Sequence, residues 1–143
     1  MSQTITVKNA AAIRAMIEKY GVELEDRVGA VVQAVATTAM SDAKKAVERG
    51  SRSGRIYNRN GKKHQASAPL ESPKNDTGKL ASSFYYKQKN KMSAEIGSEL
   101  DYAYYLEYGT MNIKPRPTWI LVSFAAKIML DKKIDALLKR LKP

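Results

Sequence analysis

The sequence predicts an α+β protein in which long N-terminal and C-terminal helices pack on a small antiparallel sheet, with a long basic loop between the first helix and the sheet. Three observations predict it. Apolar residues recur every three or four positions over residues 9–47 and again over 117–141. They alternate singly over 92–98, and residues 49–79 gather positive charge around few apolar side chains. At 143 residues the length suits one domain spanning 1–143.

The first helix is read from Ile13, Ile17, Tyr20, Leu24, Val28, Val31 and Val35, which form one stripe at helical spacing. Asn9 is expected to cap its start and Gly50 to stop it. Gly21 is expected to kink or break it, because glycine costs a helix interior about 1 kcal/mol relative to alanine. Such a stripe is a core face before it is a contact with another subunit.

Composition then changes. Residues 49–79 carry eight Lys and Arg against Glu71 and Asp76, more than half of the chain's net charge of +11. Asn60-Gly61 favours a tight turn, because both positions tolerate positive φ, so a small hairpin is expected over 55–63. Pro69 and Pro73 keep the remainder extended. Arg49, Arg52, Arg55, Arg59, Lys62 and Lys63, with Tyr57 among them, are the candidates for sequence-neutral contact with DNA phosphates. A solvated charged face is the plainer reading. Nothing here has the pattern of a zinc finger, an RNA-recognition module or a basic zipper.

Strands are expected at 83–88 and 92–98, joined by a Lys-Asn-Lys turn. A short helix at 102–108 follows, stopped by Gly109, with Tyr102, Tyr105 and Leu106 facing the sheet. Glu107, among four tyrosines, is read as a structural anchor. Pro115 and Pro117 stiffen the arm around Arg116 that delivers Trp119 to the last helix. That helix runs through Leu121, Phe124, Ile128, Ile134, Leu138 and Leu141, and Lys139, Arg140 and Lys142 complement its dipole.

Catalytic readings are weak. The chain has no cysteine and one histidine, His64, set among Lys62, Lys63 and Gln65 without a local partner. No Gly-x-Ser-x-Gly and no phosphate-loop pattern occurs. Asp101 and Glu107 lie about 600° apart in helical rotation and cannot cooperate. The triplet Asp76-Thr77-Gly78 matches the one that dimeric aspartic proteases use, but it follows a polar run instead of ending an apolar strand. Asp76 is read instead as the cap of a short turn starting at Thr77, with Gly78 supplying the backbone shape and Leu80 the apolar anchor. No catalytic residue, metal site or cofactor is expected. The N-terminal residues lack a secretory pattern, and 28–40 is too short and too polar to span a membrane, so a cytosolic protein with no membrane partner is expected.

The order of three motifs is informative. The run S-A-P-L-E-S-P-K-N-D-T-G-K-L, a strand pair, Y-A-Y-Y-L-E-Y-G-T and P-R-P-T-W-I together resemble the gene-product-ten family of lambdoid tailed phages. Asp76, Thr77, Gly78 and Leu80 match the first family motif. Tyr102, Ala103, Glu107, Tyr108, Gly109 and Thr110 match the second, and Pro115 and Pro117 the third. Leu70 stands where a glycine is common in that family, and Thr118-Trp119 replaces the usual Phe-apolar pair. The resemblance implies a non-enzymatic virion protein forming a homo-oligomeric ring in the neck or at the top of the tail, with DNA in the lumen. Neighbouring head-completion and tail-terminator proteins are the implied partners, and the head-tail junction the implied location, after assembly in the host cytoplasm. Subunit contact then falls to Tyr102, Tyr105, Glu107, Tyr108, Gly109, Thr110, Pro115, Arg116, Pro117 and Trp119. The alternative is a free-standing cytosolic protein that binds nucleic acid without sequence preference.

Overall fold

The computed structural model describes residues 1–74 and 76–141. It opens with a strand that the periodicity did not single out, β1 (Ser2–Thr6). Five residues are too few for a clear alternation, and the strand is defined by its partner. It pairs antiparallel with β5 (Ser93–Ser98), placing Ile5 opposite Ala94, and both side chains are fully buried.

The long N-terminal helix is two helices, α1 (Ala10–Tyr20) and α2 (Val22–Arg49). The break is Gly21, at φ 79 and ψ −169, a backbone region essentially closed to other residues. Asn9 stands at the start of α1 in a left-handed conformation with no side-chain capping bond, so the expected cap is absent. Gly50 ends α2 in an extended conformation. Past Val28 the buried stripe is Val32, Val35, Ala36, Ala39, Ala43 and Val47, one residue on from the expected Val31, which is only half-buried. The stripe shrinks to alanines where α2 meets the last helix, α5 (Trp119–Leu141). Small side chains let two helix backbones approach closely.

Residues 56–65 form the hairpin that Asn60-Gly61 announces. β2 (Ile56–Arg59) and β3 (Lys62–Gln65) pair directly across a two-residue turn with Asn60 at φ 52 and Gly61 at φ 74. The single-turn helix α3 (Lys79–Ser82) precedes β4 (Phe84–Asn90), which runs two residues beyond expectation through an irregularity between Gln88 and Asn90. The main sheet has the order β1-β5-β4, all antiparallel. α2 lies across it, and α5 packs on α2 and on β1, so one apolar cluster fills the space between helices and sheet. α4 (Tyr102–Tyr108) bridges β5 and α5.

Leu70 holds a backbone conformation that favours glycine: φ is 71, in the left-handed region, with the side chain exposed. A non-glycine residue there costs about 1–2 kcal/mol, against about 0.5–1 kcal/mol of extra chain entropy that glycine loses on folding. Leu70→Gly is therefore expected to leave stability unchanged or raise it by up to about 1 kcal/mol in urea unfolding. A loss of more than that would mean the leucine side chain makes contacts worth more than the strain.

Candidate assembly surface

The three family motifs meet at the start of α5. The first peptide N–H groups of a helix have no partner within the helix, and they concentrate positive potential. Here the carboxylate of Glu107 takes them. Oε2 accepts from Thr118 N at 2.8 Å and Trp119 N at 3.1 Å, and Oε1 accepts from Ile120 N at 2.7 Å. Glu107 is only 3% exposed, so these bonds replace its hydration. Thr118, by residue type a good capping residue, occupies the capping position, because its carbonyl accepts the first helical bond from Val122 at 3.0 Å. Yet its hydroxyl is buried without a partner. A glutamate on another helix has taken over the capping role.

The rest of the Glu-Tyr-Gly-Thr run makes that reach possible. Gly109 ends α4 at φ 77 and ψ 179. A Cβ there would sit 2.6 Å from the Ile113 carbonyl oxygen and 3.0 Å from Pro115, so the strap 113–115 crosses directly over the glycine. Thr110 closes the strap: its N–H donates to Ile113 O at 2.7 Å, and its hydroxyl accepts from Asn112 N and Ile113 N. Arg116 N then donates to Leu106 O at 2.7 Å, satisfying a carbonyl at the end of α4. The Pro-rich loop lies alongside, with Leu70 N donating to Pro115 O and Ser72 Oγ to Pro117 O. Gly109→Ala combines a forbidden backbone conformation with a backbone clash, and is expected to cost about 2–4 kcal/mol. Thermal unfolding followed by circular dichroism checks this, and a change below 1 kcal/mol would show that the strap can move aside.

Several expected contact residues therefore lie inside the chain. Glu107 is sealed under the strap, and Trp119, 2% exposed, packs edge-on against Phe84 at 4.6 Å between ring centres. Gly109, Thr110, Pro115 and Pro117 shape the strap. The tyrosines point the other way. α4 buries Ala103 and Glu107, with Leu106 half-buried, while Tyr102, Tyr104, Tyr105 and Tyr108 are all exposed. The expectation that Tyr102 and Tyr105 face the sheet is corrected: the small Ala103 takes that place, in a space it shares with the Phe84 and Trp119 rings. Tyr104 meets Tyr105 edge-on and Tyr108 at a tilt, with ring centres 6.0 and 4.8 Å apart.

Sequence reasoning missed the outer face of α5. Ile120, Leu121, Phe124 and Ile128 are exposed there, Phe124 by 67%. Leu121, Phe124 and Ile128 mark the helix by their spacing, but the side turned to the core is Ser123, Ala126, Leu130 and Ile134. A helix apolar on both sides offers no periodic clue to which side faces in. The bond from Ile120 N to Glu107 joins the start of α5 to the buried side of α4.

The basic segment is tied down by its own two acids. Glu71 accepts from the Ser53 hydroxyl at 2.6 Å, Ala68 N at 2.8 Å and Ser53 N at 3.0 Å, which fastens the base of the hairpin. These bonds, the Ser53 hydroxyl foremost, hold its carboxyl below the usual range. Asp76 does not cap a turn. Its carboxylate pairs with Arg59 and lies 3.7 Å from His64 Nδ1, while Gly78, at φ 82, stands before α3 with no side-chain cap. His64 stacks on Tyr57, its partner across the hairpin. Arg59 therefore spends its charge internally and Arg52 donates to the Glu48 carbonyl, whereas Arg49, Arg55, Lys62 and Lys63 are exposed.

Among the described residues no group of His, Asp and Glu is arranged to hold a metal, and no helix is long and apolar enough to cross a membrane. No match was found among curated proteins or solved structures. Residues 11–109 match the family described as Bacteriophage HK97-gp10, tail-component. That span runs from the first turn of α1 to Gly109 and includes the Asp-Thr-Gly turn, the strand pair and the tyrosine helix. With well over half of its length matched, the chain belongs to the bacteriophage HK97-gp10 tail-component family, a family of phage structural proteins.

Proposed function

We propose that the chain is a non-enzymatic subunit of a ring at the head-tail junction or at the top of the tail, through which DNA passes. Head-completion and tail-terminator proteins would be its neighbours in the virion, after assembly in the host cytoplasm. The observation that carries this reading is the exposed face made by Tyr102, Tyr104, Tyr105 and Tyr108 on α4 and by Ile120, Leu121, Phe124 and Ile128 on α5. Large apolar side chains left exposed on two segments close in sequence suit a partner surface, and tyrosine is enriched where proteins meet. Its occupant in this reading is a second copy of the chain. The strap and the Glu107 cap hold the face rigid, and rigid contact residues lose little freedom on association.

The test is the double variant Tyr108→Ser, Phe124→Asp. Both side chains are exposed, so melting is expected to shift by only about 2–4 °C. Joining of heads to tails by the purified variant is expected to fall by about tenfold or more, in line with the loss of interface anchors. Normal joining by a folded double variant would remove this face from assembly.

A second reading, sequence-neutral nucleic-acid binding by a monomer, is favoured by the exposed Arg55, Lys62 and Lys63 of the hairpin. Changing all three to Gln is expected to flatten the salt dependence of DNA binding by about one unit of slope per lost phosphate contact. An unchanged slope would place DNA elsewhere. Binding that is tight for the monomer and indifferent to Phe124→Asp would favour this reading over the ring.

A further inference from the structure

We propose that the half-open pocket between the hairpin, Pro73-Lys74, α3 and α4 binds a carboxylate side chain from an acidic segment of another virion protein, with Arg116 as its anchor. The proposal rests on the reading of the chain as one structural subunit among several. The pocket has a volume of about 240 Å³, on the scale of one or two side chains. Lys74 and Arg116 supply its positive charge, Asp76 also lines it with its own charge paired to Arg59, and Tyr57, Leu80, Tyr102 and Leu106 supply apolar wall.

Arg116 is placed with unusual firmness. Prolines flank it on both sides, and its peptide N–H is bound to Leu106 O, so the direction of its side chain is set by the strap. Among the described residues the guanidinium forms no ion pair, and its Nε is buried without an acceptor. Among the described residues Lys74 has no ion pair either. A buried guanidinium nitrogen without a partner is costly unless an acceptor arrives. Among the described residues the carboxylates of the neighbouring segments are engaged, Glu71 with Ser53 and Ala68, Asp76 with Arg59 and His64, and Glu107 with the start of α5, and the unused Thr118 hydroxyl is a neutral acceptor only. A carboxylate for the guanidinium is then one supplied by another chain.

The shape selects the kind of anion. A glutamate side chain would lay its methylenes against Leu80 and Leu106 and present two oxygens to the guanidinium fork, the geometry arginine binds best. A duplex phosphate sits on a broad convex surface and cannot enter a pocket of side-chain size. Charge selects the source, since a second copy also carries +11 and meets repulsion that an acidic partner does not.

The test uses the full chain and a fluorescein-labelled Gly-Glu-Glu-Glu-Gly peptide, read by fluorescence anisotropy. Saturable binding is expected, weakened about tenfold by Arg116→Gln and less by Lys74→Gln, but unchanged by Arg55→Gln on the exposed hairpin. The matching glutamine peptide is expected not to bind, and a 20-base-pair duplex not to compete, in proportion to their lack of a carboxylate. Lys74→Gln keeps the test decisive if Arg116→Gln fails to fold. Equal weakening by Arg55→Gln would show non-specific attraction to a basic protein, and would overturn the proposal. Displacement by duplex would do the same in favour of phosphate, and displacement by unlabelled chain in favour of a second copy. Because peptide binding needs no ring, it can fail while ring assembly stands, and the reverse.

Discussion

Replacing Glu107 with alanine is expected to lower the free energy of unfolding by about 3–5 kcal/mol, among the largest effects of any single substitution in this chain. The change strips the acceptor from three backbone N–H groups at the start of α5, two of them buried together with the carboxylate that served them. Each bond to a charged acceptor is worth about 1.5–3 kcal/mol, and the three share one side chain, so their loss is less than additive. The favourable placement of negative charge at a helix N-terminus is lost as well. Glu107→Gln should fall between, because its amide oxygen still accepts while its NH2 confronts a donor. Urea unfolding of the three proteins checks the order. A loss below about 1 kcal/mol for the alanine variant would mean that α5 begins equally well without its borrowed cap.

Trp119→Ala is the second large expectation, at about 3–5 kcal/mol from loss of a buried aromatic side chain. The indole is sealed in the core, in edge-to-face contact with Phe84, and it follows the residue whose N–H Glu107 holds. Tyr108→Ala, only one residue beyond Glu107 but exposed, should cost under about 1 kcal/mol of stability. The pair separates two roles that adjoin in sequence. Loss of stability at Trp119 and loss of head-tail joining at Tyr108 is the expected pattern. Equal destabilisation by both would return the tyrosines to the core and leave the assembly surface without its α4 half.

Much of the fold was legible because its causes are local. Asn60-Gly61 specifies its turn through backbone φ alone, Gly21 breaks a helix wherever it stands, and single alternation over 92–98 marks a strand, although β5, central in the sheet, is buried on both faces and not on one. What was illegible depends on partners distant in sequence. The three donors that hold Glu107 are peptide N–H groups, which every residue carries, so no residue type announces them. Thr118 is by residue type a good cap, and nothing in its neighbours reveals that its hydroxyl is unused. The four tyrosines cover too wide an arc of a two-turn helix for spacing to choose the inward side, and the choice was made by Ala103. Asp76 turns to Arg59 only because the hairpin folds back onto it.

The ring at the head-tail junction is the account's central claim, and a cryo-electron reconstruction of the intact phage particle tests it most directly. The expected result is a closed ring of this chain between head and tail. Tyr104, Tyr108 and Phe124 should lie in the seams between subunits, with Arg55, Lys62 and Lys63 toward the DNA. A particle in which this chain is absent from the junction, or present there with the α4 and α5 faces open to solvent, would contradict it.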